Sequence, residues 1–88
     1  MKLIIAIMRD TDNEQVSTAL VSAGFRVTRV ASTGGFLRRG SSTLMIGVDD
    51  SKVEQALQII RANVSPRAET DTSSATLFIL NVENFTQL

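Results

Sequence analysis

Residues 25–47 read FRVTRVASTGGFLRRGSSTLMIG, and the folding of this stretch decides how the rest of the chain is arranged. It holds four of the nine basic residues (Arg26, Arg29, Arg38 and Arg39) and four of the five glycines. Phe25–Ala31 is rich in β-formers and reads as a strand, and Thr43–Val48 reads as another. Ser32–Ser42 connects them through the pair Gly34-Gly35, with Phe36 directly after it. A glycine pair lets backbone N–H groups turn toward an anion, because no Cβ blocks the approach. An arginine can clamp a phosphate, and an aromatic ring can stack on a base. On a strand, Arg26 and Thr28 share a face, so a cation and a hydroxyl can meet one phosphate. These features point to a site for a phosphate-bearing nucleotide. The plainer reading of the same residues is a turn between two strands, with a solvated cationic face and a charged tip at Arg38-Arg39.

Outward from this stretch the chain has a regular order. Lys2–Arg9 is a continuous apolar run with three isoleucines, expected as a strand buried on both faces. Thr11 with Glu14 fits a capping box, and Val16, Ala19, Leu20 and Ala23 then form one helical stripe, closed by Gly24. After Val48, Ser51 with Glu54 offers a second capping box, and Val53, Ala56, Leu57 and Ile60 repeat the stripe. Asn63–Ser74 is polar, holds the one proline and reads as a loop. Ala75–Val82 is a fourth strand, apolar on both faces, and Glu83–Leu88 a short tail. The order βαββαβ predicts an α+β, ferredoxin-like sandwich: a four-stranded antiparallel sheet with two helices on one face. Two helices cover one face only, so the apolar residues of the other face imply a homo-oligomer.

Composition narrows the chemistry. The chain has 88 residues, a formal net charge of zero, no cysteine and no histidine. That argues against disulfides, thiol chemistry and the usual zinc sites, and removes the commonest general base. No global field draws the protein to nucleic acid or membrane. The N-terminal apolar run is too short to span a bilayer, so no membrane insertion is expected and the protein reads as cytoplasmic. Asp10, Asp12, Asp49 and Asp50 are assigned to helix N-termini and not to a metal. No paired-carboxylate arrangement accompanies the glycine loop, so no catalytic residue and no enzyme is expected. A nucleic-acid polymer fits poorly, because an RNA-reading sheet needs exposed aromatics on its strands.

MKLIIAIMRD at the start, TGGFLRRG in the middle, GVDD before the second helix and LFILNVENFTQL at the end resemble the cyclic di-AMP receptor proteins, the PstA-type, PII-like signal transducers. The resemblance covers nearly the whole chain. It implies a single PII-like domain over residues 1–88, assembled as a homotrimer that binds cyclic di-AMP between subunits, with no cofactor and an unknown downstream protein partner. By that resemblance Arg26 and Thr28 contact a phosphate or the adjoining adenine, and Gly34 and Gly35 bring N–H groups to the phosphate. Phe36 stacks on an adenine, Leu37 closes that pocket, Gly47 leaves room for the base and Gln87 reaches the ligand from the tail. Ser41 stands where the family usually has an asparagine that can read adenine's edge, and Gly24 where an asparagine is common. The loop before the last strand is shorter than the family's. A divergent module taking ATP, ADP or no nucleotide is the alternative. An ACT-type amino-acid sensor and an acylphosphatase-like enzyme share the fold class.

Overall fold

The computed structural model describes residues 1–30, 40–64, 75–84 and 86. Strand β1 is Lys2–Arg9, helix α1 Asp10–Ser22, β2 Arg26–Val30 and β3 Ser41–Val48. A 3-10 turn over Asp50–Lys52 leads into α2, Val53–Asn63, and β4 is Ala75–Asn81. The sheet order is β2-β3-β1-β4 with every neighbouring pair antiparallel, so the expected βαββαβ sandwich is the observed fold.

Strand β1 lies between β3 and β4, and the burial expected on both its faces is met within the single chain on one face only. Ile4, Ala6 and Met8 are buried on the helix side, where Val16 and Leu20 of α1 and Ala56 and Ile60 of α2 meet them. Leu44, Ile46 and Val48 of β3 extend the same layer. Each fully buried leucine or isoleucine here contributes about 1.5–3 kcal/mol through removal from water. On the other side, Leu3, Ile5 and Ile7 are half-buried, and among the described residues no helix packs over them. Phe78 and Leu80 of β4 are 51% and 47% exposed on that same open face. The exposed apolar face inferred from the sequence is therefore present in the single chain.

Helix α1 ends as Gly24 suggests. The Phe25 N–H donates to the Leu20 carbonyl and the Gly24 N–H to the Val21 carbonyl, both at 3.0 Å. Gly24 has φ of +95°, so these crossed bonds form a Schellman closure that satisfies two terminal carbonyls. Ala23 is the C-cap and is exposed, so the apolar stripe ends at Leu20.

Both capping boxes are corrected. Strand β1 runs straight into α1, which makes Arg9 the N-cap, with no side-chain cap bond. The Asp10 N–H donates to the Gly40 carbonyl at 2.7 Å, and the Asp10 carboxylate accepts the Ser42 hydroxyl. Tertiary partners thus replace the local cap that Thr11 and Glu14 offered. At α2, Ser51 lies inside the 3-10 turn, closed by the Lys52 N–H on the Asp49 carbonyl at 2.9 Å, and Lys52 becomes the N-cap. The acidic residues do sit at helix starts, as expected: Asp10 and Asp12 in the first turn of α1, Asp50 in the 3-10 turn.

Strand β3 begins two residues earlier than the sequence suggests, because Ser41 and Ser42 continue the ladder opposite Arg9 and Met8. Ser41 and Ser42 thus belong to β3 and not to the connection, of which residues 31–39 lie outside the described set.

Candidate functional site

Register brings together residues far apart in sequence. Arg26 of β2 stands opposite Gly47 of β3, and Gly47 opposite Leu3 of β1. One row along, Thr28 stands opposite Met45, and Met45 opposite Ile5. Side chains two apart on a strand share a face, so both rows belong to the open side of the sheet. There Arg26, Thr28 and Gly47 line a cavity of about 590 Å³. Its apolar surface comes from Met1, Leu3, Met45 and Val82.

Gly47 is the informative member. Among the described glycines only Gly24 and Gly40 have positive φ, so backbone conformation does not demand glycine at 47. A Cβ built there would meet Met1 Cε at 3.6 Å, an ordinary contact. Packing does not demand glycine either. The missing side chain therefore leaves open space in the cavity and serves no need of the fold itself.

The electrostatics are simple. Arg26 is exposed and, among the described residues, no carboxylate pairs with it. No acidic residue is among the described residues that line the cavity. Lys2 borders it too, but alternation along β1 puts its side chain in the row with Val48 and Asn81, and its amine donates to the Asn81 side-chain oxygen. Among the described residues Arg26 is thus the side-chain cation that the open face presents at this end. Such a place suits an anionic group beside an apolar, planar one. Among the described residues no group of three or more acidic side chains converges on a metal position. None of their helices is long and apolar enough to cross a membrane.

Ser41 lies elsewhere. It is six positions before Gly47 on the same strand, about 20 Å along an extended chain, and stands opposite Arg9. Within one chain the structure brings Arg26, Thr28 and Gly47 together and keeps Ser41 at the far end of the open face. Gly34, Gly35, Phe36, Leu37, Arg38, Arg39 and Gln87 lie outside the described residues. Sequence reasoning missed Met1, Leu3, Met45 and Val82. The signal that finds them is register: the partners of Gly47 and Thr28 across β3 and β1, and the backbone bond from the Val82 N–H to the Met1 carbonyl at 3.0 Å.

Comparison with known proteins gives two findings. A family model described as cyclic-di-AMP receptor matches residues 1–74, a span that includes Arg26, Thr28, the glycine connection and Gly47 and stops short of Gln87. The fold is also similar to a crystal structure of a functionally unknown protein from Pediococcus pentosaceus ATCC 25745. That similarity has a TM-score of 0.81 at 34% identity, over 99% of this chain and 96% of the other.

Proposed function

The chain belongs to the cyclic-di-AMP receptor family, and from that membership we propose that it is a PII-like signal-transduction protein that binds cyclic di-AMP between the subunits of a homotrimer. The observation that carries this reading is the open-face cavity: a guanidinium with no carboxylate partner among the described residues and a hydroxyl beside a glycine the fold does not need, over an apolar surface to which the described residues add no acid. Arg26 and Thr28 take a phosphate, and Gly47 admits a base against Leu3 and Met45. Gly34 and Gly35 donate backbone N–H groups, Phe36 stacks on an adenine and Leu37 closes the pocket. Gln87 enters from the tail after β4. The distance from Gly47 to Ser41 suggests that any Ser41 contact with this ligand comes from a neighbouring copy.

The exposed apolar face supports assembly. Phe78 and Leu80, with Leu3, Ile5 and Ile7, form a contiguous patch on one side of the sheet, and covering it with other copies removes it from water. In this reading the protein is a cytosolic receptor without catalytic activity. Ligand bound between subunits favours one arrangement of the connecting loops, and the affinity difference between arrangements biases an interaction with a downstream partner.

A thermal-shift panel tests the assignment. Cyclic di-AMP should raise the melting temperature more than ATP, ADP, AMP or cyclic di-GMP, since a ligand that binds only the folded state stabilises it by mass action. A larger shift with ATP or ADP would move the assignment to a mononucleotide sensor.

A further inference from the structure

One wall of the open-face cavity is a side chain that takes no part in the buried core. Met1 precedes β1, and alternation from Leu3 puts it on the open face, where it lines the cavity and is 44% exposed. Its backbone is held at two points. The Met1 carbonyl accepts the Val82 N–H at 3.0 Å, and the Met1 amino group lies 3.1 Å from the Asp50 carboxylate. The thioether is therefore an adaptable arm, with three rotatable bonds, on an anchored root.

That arm ends at Gly47. Met1 Cε lies 3.6 Å from the position a Cβ on Gly47 would take, which is van der Waals contact. A group that enters the space beside Gly47 thus touches the Met1 methyl or displaces it. Met45, two residues before Gly47 on β3 and so on the same face, lines the cavity as well. Methionine is soft and polarisable, and its sulfur makes favourable contacts with aromatic rings. Such a wall favours a planar base and offers nothing to a hydrated phosphate.

We propose that Met1 is a base-contacting residue, whose thioether packs against the ring that lies over Gly47 and so selects ligands that carry an aromatic group. This role rests on the reading of the cavity as a nucleotide site and adds to it a contact from ahead of β1. Loss of the thioether removes apolar contact and no charge. Its signature therefore differs from that of Arg26: weaker binding with an unchanged dependence on salt.

The test uses the full chain with 13C-labelled methionine methyl groups. The three methionines supply their own control, because Met8 is buried in the core on the helix side, 3% exposed. A ring packed near a methyl group shifts its resonance through the ring current. Cyclic di-AMP should move the Met1 and Met45 signals saturably and leave Met8 in place, and inorganic phosphate should leave Met1 unmoved. Met1→Ala, released with its own N-terminus from a cleavable fusion, should weaken cyclic di-AMP binding roughly two- to tenfold. Its melting temperature should stay close to that of wild type, and Met1→Leu should recover most of the loss. A shift at Met45 without one at Met1, or a folded Met1→Ala protein that binds like wild type, overturns the proposal and leaves the nucleotide reading in place. An equal Met1 shift with inorganic phosphate overturns it too, since no ring is present. Calorimetric binding of cyclic di-AMP with no shift at either Met1 or Met45 puts the ligand outside the cavity and overturns both the proposal and the placement of the site. Failure of cyclic di-AMP to bind at all overturns the receptor reading, and the proposal with it.

Discussion

Substituting Gly47 by alanine separates the needs of the fold from those of the ligand. The built Cβ sits 3.6 Å from Met1 Cε, so no neighbour has to move. The residue is not in the left-handed region, and it lies within β3 with ladder partners on both sides, Arg26 and Leu3. Alanine therefore removes only the conformational freedom glycine has when unfolded, and Gly47→Ala should gain about 0.5–1 kcal/mol of stability. The same methyl group projects into the open-face cavity. If a base lies against Gly47, the methyl overfills a fitted site at a cost of about 1–3 kcal/mol, roughly five- to 150-fold in affinity. Urea unfolding followed by circular dichroism reads the first quantity, and calorimetric titration with cyclic di-AMP reads the second. A variant more stable than wild type but weaker in binding is the expected result. Unchanged affinity would refute the placement of the ligand over Gly47, and a clear loss of stability would refute the local geometry.

Other perturbations address the remaining claims. Gly24→Ala places a Cβ at φ +95° with nothing within 4 Å of it, so the cost is backbone strain alone, about 1–2 kcal/mol, read as a lower denaturation midpoint. Arg26→Gln should weaken cyclic di-AMP binding and flatten its dependence on salt, because a charge-assisted phosphate contact is lost. A salt dependence equal to wild type contradicts the contact. Replacing Phe78 and Leu80 together by lysine should leave the monomer fold intact, since both are about half exposed, and should shift sedimentation to the monomer. An unaltered oligomer would show that the open face is not the interface.

The fold was legible because its strongest signals are not contested by tertiary structure. The apolar run of β1 marks a strand inside the sheet, with Ile4, Ala6 and Met8 in the core under the helices and Leu3, Ile5 and Ile7 on the open face. The stripes of α1 and α2 face one core, and Gly24 ends α1 where its φ requires a residue without Cβ. The helix starts were misread because a capping box is a local preference that tertiary bonds can replace. Asp10 is held by Gly40 and Ser42, from the far end of the connection, and no window of consecutive residues contains that bond.

The candidate site was half legible for a similar reason. Alternation alone puts Arg26 and Thr28 on one face, but only register sets Gly47 beside Arg26 and brings Leu3 and Met45 to it. Register also separates Ser41 from them, although the resemblance grouped all four with one ligand.

The central claim is that this chain is a cyclic di-AMP receptor, and titration calorimetry of the wild-type protein with that ligand, beside ATP, AMP and cyclic di-GMP, tests it most directly. The account predicts saturable binding of cyclic di-AMP at one molecule per subunit, with the other nucleotides much weaker. A folded oligomer that gives no heat with cyclic di-AMP, or binds ATP in preference, would contradict it.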